Sequence, residues 1–145
     1  MTNEFIHYEQ ALALKELGFE EDCLAFYILC KSKNINTPLL QISKIESQKI
    51  IDAVNNIFDV EYTLAPLYQQ SFRYFREKYN LRGFIGFRPN VKQFDCHIYD
   101  MSLSGKEYVQ QRTMEEYNKD PKVGTYEEAE LECLKQLIKL VKNNK

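Results

Sequence analysis

The sequence lacks a strong charge of either sign. Its 19 lysines and arginines and 21 aspartates and glutamates give a formal net charge of −2. A balance this close to zero produces no field that would attract the whole protein to DNA, RNA or an anionic membrane. We therefore expect no membrane partner and disfavour an extended nucleic acid, so a role with nucleic acid would have to be local.

Signals for export are also missing. No apolar run approaches the roughly 20 residues that span a bilayer, and the first residues lack the basic and apolar regions of a signal peptide. The four cysteines have no C-x-x-C spacing, so nothing supports a zinc ribbon or a thioredoxin-like motif. These features predict a cytoplasmic protein whose cysteines are free thiols that pack as small apolar side chains.

Motifs for catalysis are absent as well. The chain has no G-x-S-x-G, Walker loop, H-E-x-x-H or dinucleotide-binding fingerprint. Its two histidines, His7 and His97, have no cysteine, serine or carboxylate at a diagnostic local spacing. We therefore predict no catalytic residue, no metal site and no cofactor. Asp95, Asp100 and His97 form a polar patch on one predicted strand. A hydrolase whose active site includes this patch is the least favoured alternative.

What the sequence does contain is a composition that can form a core, with 44% hydrophobic and 13% aromatic residues. This predicts one compact α+β domain over residues 1–145. We expect an antiparallel sheet of four or five strands packed with three main helices, and a further helix inserted at residues 44–58. The three helices are predicted at residues 7–17, 65–79 and 125–142, and the strands at residues 23–30, 39–42, 81–88, 94–101 and 106–112.

Local patterns support these elements. Residues 23–30 form a continuous apolar run, which indicates a central strand covered on both faces. Gly18 is typical of a residue that ends a helix in the left-handed conformation, and Thr125 with Glu128 forms a capping box. Pro66 suits the first position of a helix, where its missing N–H has no intrahelical partner to lose.

The helix predicted at residues 65–79 has two distinct faces. Aromatic residues recur at steps of four, three and four, which places Tyr68, Phe72, Phe75 and Tyr79 on one side, where we expect them to pack against the sheet. Arginines lie on a neighbouring side. The next strand carries two further arginines, whose even spacing places them on one face.

These arginines form the predicted binding site. Guanidinium groups bind phosphate bidentately, and the nearby Tyr74, Tyr79 or Phe84 could stack on a base. The predicted contacts to a nucleotide or another phosphorylated small molecule are therefore Arg73, Arg76, Arg82 and Arg88, with Tyr74 and Tyr79. In the competing interpretation, Arg73 pairs with Glu77 along the helix and Arg76 covers aromatic surface with its aliphatic stem.

Three segments carry a resemblance to a known family. Residues 8–19, 65–79 and 125–135 resemble the recurring blocks of small uncharacterised proteins known mainly from phages, prophages and mobile elements of gut anaerobes. The sequence is longer than typical members at residues 31–62 and 103–124. The resemblance implies no specific activity; it implies a genomic setting in which small accessory proteins are often inhibitors, adaptors or sequestering proteins.

The function predicted from these observations is non-enzymatic. We expect a phage or mobile-element accessory protein that binds and sequesters a ligand, such as a nucleotide signal of host defence, in the host cytoplasm. The alternative is a protein–protein interaction module or an inhibitor of a host protein. The oligomeric state stays open. Charge reversal at Arg82 or Arg88 is expected to abolish ligand binding and leave the fold intact, because exposed charges contribute little to stability.

Overall fold

A computed structural model gives the protein an α+β fold. It describes residues 4–30, 37–45, 51, 53, 55, 59–90, 92–102 and 124–143. Over these residues there are three helices and five antiparallel strands, as predicted. In chain order the elements are α1 (Tyr8–Glu16), β1 (Cys23–Cys30), β2 (Leu39–Ile45), β3 (Val60–Leu64), α2 (Tyr68–Tyr79), β4 (Leu81–Arg88), β5 (Gln93–Asp100) and α3 (Tyr126–Asn143).

The strands lie in two sheets, whereas the sequence predicted one. β1, β2 and β3 form a three-stranded sheet, and β4 and β5 form a two-stranded sheet. The chain also divides into two compact units, Met1–Gln70 and Ser71–Lys145, and each sheet lies in one of them. The prediction of a single domain over residues 1–145 stays a prediction.

β1 is the central strand of the first sheet, as its apolar sequence predicted. It pairs antiparallel with β2 on one side and with β3 on the other. Cys23, Ala25 and Tyr27 alternate along the strand and are buried, but Leu24 is 54% exposed. The predicted coverage of both faces is therefore incomplete.

The segment after β1 differs from its prediction. β2 continues to Ile45, so the helix predicted at residues 44–58 does not begin at residue 44. Ile51, Ala53 and Asn55 are helical, and the other residues between 46 and 58 lie outside the described part of the chain. The side chain of Asn55 forms two hydrogen bonds with the backbone of Tyr62, the middle residue of β3. The Asn55 amide donates to the Tyr62 carbonyl, and the Asn55 side-chain oxygen accepts from the Tyr62 N–H.

Strand β3 was missed by the sequence analysis. It comprises Val60–Leu64, and Phe26 of β1 pairs with Leu64 at its end. Its β-branched and aromatic residues favour a strand. The preceding chain was interpreted as helical up to residue 58, which left a segment too short to be recognised.

Helices α1 and α2 begin and end close to the predicted positions. Gly18 has φ = 82° directly after α1, which confirms the predicted left-handed stop. α2 starts at Tyr68, so the placement of Pro66 at the first helical position was wrong. The Leu67 N–H is instead capped by the side-chain oxygen of Gln70, and the Pro66 carbonyl accepts a hydrogen bond from the Ile6 N–H.

The second unit contains the β4–β5 hairpin, whose register runs from Leu81 opposite Asp100 to Arg88 opposite Gln93. One face of the hairpin packs against α3, and Gly83 lies close to that helix. A Cβ atom on Gly83 would lie 2.9 Å from the Cys133 sulfur and 3.0 Å from a Leu137 methyl carbon. Only glycine therefore lets β4 approach the helix at this distance.

A single residue separates α2 from β4. Asn80 lies between Tyr79 and Leu81 and has φ = 55°, a left-handed conformation that asparagine adopts more readily than most residues. Its carbonyl accepts a hydrogen bond from the Met101 N–H at 2.8 Å. The joint between helix and strand is therefore tied to the end of β5.

α3 has the predicted start and the predicted buried side. The Glu128 N–H donates to the Thr125 hydroxyl at 3.2 Å, and a Glu128 carboxylate oxygen accepts from the Thr125 N–H at 3.2 Å. This is a complete capping box. The helix buries the residues expected from its periodicity, Ala129, Cys133, Leu134, Leu137, Ile138 and Val141.

Thr125→Ala is expected to lower the free energy of unfolding by about 1 kcal/mol, because alanine leaves the Glu128 amide without its acceptor. Thr125→Ser keeps the hydroxyl and is the matched control. Denaturant midpoints of the three proteins measure the effect. Identical midpoints for Thr125→Ala and the wild type would show that this hydrogen bond does not stabilise the helix start.

The four cysteines are free thiols, as predicted. Burial, with smaller effects from Glu21 and Asp22, raises the pKa of Cys23 to about 12. A hydrogen bond with Cys96, followed by burial, also raises the pKa of Cys133. Both buried thiols therefore hold their protons more tightly than ordinary thiols do.

This burial predicts a loss of stability in alkali. A raised pKa contributes stability that is complete below the ordinary thiol value of 9.0 and disappears as the pH rises above it. The loss should approach about 1.4 kcal/mol per thiol for each pH unit above the ordinary thiol pKa. Denaturation of the wild type and of a Cys23→Ala, Cys133→Ala double variant at increasing pH measures it. The prediction fails if both proteins lose stability at the same rate.

Within the described ranges, no helix has the length and apolar character that a membrane crossing requires. The strand predicted at residues 106–112 lies outside the described residues.

Candidate functional site

The candidate site lies on the β4–β5 hairpin, on the side opposite to Gly83. Side chains alternate between the two sides of a strand, and directly paired residues share a side. The residues on this side, which we call the outer face, are Arg82, Phe84, Gly86 and Arg88 of β4, with Tyr99, His97, Asp95 and Gln93 opposite them on β5. The prediction that Arg82 and Arg88 share a face is thus confirmed.

Three aromatic rings stack along the outer face. The Phe84 and His97 rings have centroids 4.9 Å apart with planes 11° apart, and the Phe84 and Tyr99 rings are 5.4 Å apart with planes 7° apart. Phe84 is therefore nearly parallel to a ring on each side of it. Mutual stacking fixes the orientations of all three rings, because each ring restricts its neighbour.

Gly86 makes room for this arrangement. A Cβ atom at position 86 would lie 2.9 Å from Nε2 of His97. The imidazole thus extends over the glycine, and a side chain there would force it to move. Gly86 is a positioning residue for the His97 end of the stack.

The other end of the stack opens onto a groove of about 370 Å³. Its described lining consists of Arg82, Phe84, Tyr99 and Met101. This volume is near the lower end of the about 300–1,000 Å³ that is typical of small-molecule sites. The groove combines a guanidinium group with two aromatic rings and a thioether, so it can contact a planar apolar group and an anion together.

Arg88 is in a different environment from Arg82. Its guanidinium forms an ion pair with Asp95, a residue whose side chain is only 3% exposed. The other carboxylate oxygen of Asp95 is buried and has no hydrogen-bond partner among the described residues. Arg88 therefore neutralises a buried charge. For Arg88 this ion pair changes the expected effect of charge reversal on the fold: reversal would place a second negative charge beside the buried Asp95 carboxylate and should destabilise the protein.

The arginines of α2 are exposed on the helix. Arg76 lies 3.9 Å from Glu77, and both side chains are more than half exposed, so this ion pair contributes little to stability. Arg73 is also exposed and is not among the described lining residues of the groove. The predicted convergence of four arginines on one anion remains a prediction; of the four, the groove includes Arg82.

The two tyrosines predicted to bind the ligand belong to an aromatic cluster of the second unit. Tyr74 is buried, and its ring lies 5.7 Å from Phe75 and 5.8 Å from Tyr79. The Lys78 ammonium group lies 5.0 Å from the centre of the Tyr74 ring and donates to its hydroxyl at 3.0 Å. Beside Arg82, the structure instead presents Phe84 and Tyr99.

The polar patch proposed for a hydrolase is divided between the two sides of β5. Asp95 shares the outer face with His97, whereas Asp100 is five positions from Asp95 and pairs with Leu81 on the opposite side. Hydrogen bonds from the side chain and backbone of Ser102 lower the pKa of Asp100. Asp100 is therefore an ionised carboxylate beside Met101. Among the described residues, no group of three or more metal-ligand side chains occurs.

The sequence analysis missed the contribution of Tyr99 and Met101. Neither residue was assigned to the predicted site, and Tyr99 was not paired with Arg82. The available signal was the turn after Arg88, because the length of a hairpin loop fixes which residues are opposite each other.

Comparison of the chain with models of known protein families, with curated proteins and with solved structures found no match.

Proposed function

We propose that this protein is a non-enzymatic binding protein that sequesters a phosphorylated small molecule of the nucleotide class in the groove beside Arg82. The observation that supports the proposal is the groove itself, where an exposed guanidinium group lies opposite Tyr99 and next to the stacked ring of Phe84. A base can stack on an aromatic ring while an arginine binds its phosphate.

The biological setting is part of the same proposal. The three segments that resemble phage and mobile-element proteins favour an accessory role in the host cytoplasm, and the ligand would then be a nucleotide signal of host defence. Sequestration requires tight binding and no chemical step, which fits a groove whose described lining combines a guanidinium group with two aromatic rings and a thioether.

A thermal-shift screen with nucleoside mono-, di- and triphosphates and cyclic nucleotides tests the proposal. A ligand present at 100 times its dissociation constant stabilises the folded protein by about 2.7 kcal/mol. Arg82→Gln should abolish or strongly reduce the shift, whereas Lys139→Gln, which removes one positive charge from an exposed position of α3, is the control and should leave it unchanged. The proposal is refuted if no nucleotide raises the melting temperature, or if both variants respond like the wild type.

One observation favours a second candidate function, a protein–protein interaction module. β2 is an edge strand among the described strands, and its Leu39 and Ile42 are 66% and 52% exposed. Exposed edges can accept a strand from a partner. If this function is correct, a host protein should co-purify with the wild type and should be lost from the Leu39→Lys, Ile42→Lys double variant. The thermal shifts produced by nucleotides should be the same in both proteins. A partner retained by this double variant would exclude β2 as the docking edge.

A further inference from the structure

We infer that Cys96 and Cys133 form a pair of thiols that a hydroperoxide oxidises to a disulfide, which links β5 to α3. Both cysteines belong to the second unit and lie where the hairpin packs against α3. This modification site is separate from the groove beside Arg82 and does not depend on nucleotide binding.

The two cysteines face each other across the contact between β5 and α3. Asp95 and His97 lie on the outer face of the hairpin, so the alternation of the strand places Cys96 on the opposite side, toward α3. Cys133 belongs to the buried side of α3, and its sulfur lies 3.9 Å from the carbonyl oxygen of His97, the residue after Cys96. A hydrogen bond joins the thiols of Cys133 and Cys96. The two sulfur atoms are therefore neighbours in the folded protein.

Only a short movement separates this contact from a disulfide. An S–S bond is about 2.05 Å long, so the two sulfur atoms must approach more closely than they do in their hydrogen bond. Rotation of either side chain about its Cα–Cβ bond moves the sulfur and leaves the backbone in place. Gly83 keeps the Cys133 sulfur close to the hairpin, because a Cβ atom at position 83 would lie 2.9 Å from it.

The two thiols differ in their access to an oxidant. Cys133 is fully buried, and its hydrogen bond with Cys96, followed by burial, raises its pKa. Cys96 is partly exposed. Peroxides oxidise cysteines that are accessible and can form a thiolate. Cys96 is therefore the thiol that reacts first, and Cys133 is the thiol that attacks the oxidised product.

The oxidation takes two balanced steps, with hydrogen peroxide or an organic hydroperoxide as the oxidant. The Cys96 sulfur first loses its proton and attacks a peroxide oxygen. The O–O bond breaks, Cys96 becomes a sulfenic acid, and the other oxygen takes up the proton and leaves as water or an alcohol. The Cys133 sulfur then attacks the Cys96 sulfur, and the hydroxyl group leaves as water with the Cys133 proton. The two sulfur atoms together lose two electrons to the peroxide.

The product fixes the hairpin to α3 by a covalent bond. The disulfide closes a loop of residues 96–133, and closing a long loop stabilises a folded protein by restricting its unfolded chain. Disulfides in cytosolic proteins are usually transient and respond to redox conditions. In the host cytoplasm that we propose for this protein, the pair is a dithiol that closes when peroxide is present.

Peptide mapping of the intact, folded protein tests the pair. The wild type is treated with hydrogen peroxide, the remaining thiols are alkylated in denaturant, and the non-reduced digest is analysed by mass spectrometry. We expect a peptide that is crosslinked between Cys96 and Cys133 as the main product, and dithiothreitol should restore both thiols. Oxidation should raise the melting temperature by about 5 °C or more, and the reductant should reverse this rise.

Three variants assign the steps to the two thiols. In Cys133→Ala, oxidation of Cys96 should stop at the sulfenic acid, which dimedone captures. In Cys96→Ala, the buried Cys133 should stay reduced in peroxide. Cys30→Ala removes a different partly exposed thiol and is the matched control, which should form the crosslink at the rate of the wild type. Mapping of the wild type decides whether the crosslink forms even where a variant fails to fold.

Four outcomes overturn the inference. The first is recovery of Cys96 and Cys133 from the oxidised, folded protein as thiols or as separate sulfinic acids. The second is a disulfide between the Cys96 residues of two copies of the chain. The third is a crosslink that forms equally fast in denaturant, because the folded contact would then have no part in it. The fourth is a melting temperature that falls on oxidation, which would show that the bond does not fit between β5 and α3. None of these measurements involves a nucleotide, so the proposed function is tested separately.

Discussion

Phe75→Ala is expected to lower the free energy of unfolding by about 3–5 kcal/mol, through lost burial and the cavity that remains. The side chain of Phe75 is fully buried, and its ring packs 5.7 Å from Tyr74 and 5.9 Å from Tyr79. Its neighbour on the same face, Phe72, is half-buried and comes within 3.3 Å of a Cβ atom built on Gly83. The aromatic face of α2 is therefore part of the core of the second unit.

Phe87→Ala is the matched control for this prediction. Phe87 is 55% exposed, so the same loss of a benzyl group should cost much less. Denaturant unfolding of the wild type and both variants gives the two differences. If Phe75→Ala costs less than about 1 kcal/mol, the aromatic face does not form a core and is available as a binding surface.

Arg88→Met should destabilise the protein by about 3 kcal/mol, because it removes the partner of a buried carboxylate. The side chain of Asp95 is 3% exposed, and within the described part of the chain its second oxygen has no hydrogen-bond partner. This loss of stability is at the lower end of the range expected when one partner of a buried ion pair is removed, because a third of the Arg88 side chain is exposed to solvent. Circular dichroism during denaturation measures the loss.

A double variant identifies the cause. Arg88→Met combined with Asp95→Leu replaces both charges with apolar groups, which is often neutral or stabilising when a buried pair is removed together. We expect the double variant to recover most of the stability lost by Arg88→Met. If it is as unstable as the single variant, the packing of the arginine stem is responsible and the buried charge is not.

The elements that could be predicted from the sequence are those with a complete local signal. The apolar run of β1 and the capping box at Thr125 each depend on residues within eight positions. Strand β3 has residues that favour a strand, but its five-residue segment is too short to be recognised without its pairing to β1. The division into two sheets likewise depends on which strands pair, and strand pairing is set by tertiary contacts.

The candidate site could be predicted only in part for the same reason. Alternation along β4 placed Arg82 and Arg88 on one face, because that periodicity is local. Their different environments depend on β5, which brings Tyr99 opposite Arg82 and supplies Asp95 to Arg88. The charge of Arg88 is compensated by a residue seven positions away in sequence. Spacing on one strand could not reveal that compensation.

The single residue between α2 and β4 makes the hairpin sensitive to insertions and deletions. In a helix each added residue turns the chain by about 100°, and Asn80 is the only residue available to absorb such a change before Leu81 enters the sheet. One extra residue near the end of α2 would therefore turn β4 relative to the helix and separate the Asn80 carbonyl from the Met101 amide. Insertions and deletions at Asn80 should consequently be selected against, both during evolution and in engineered variants.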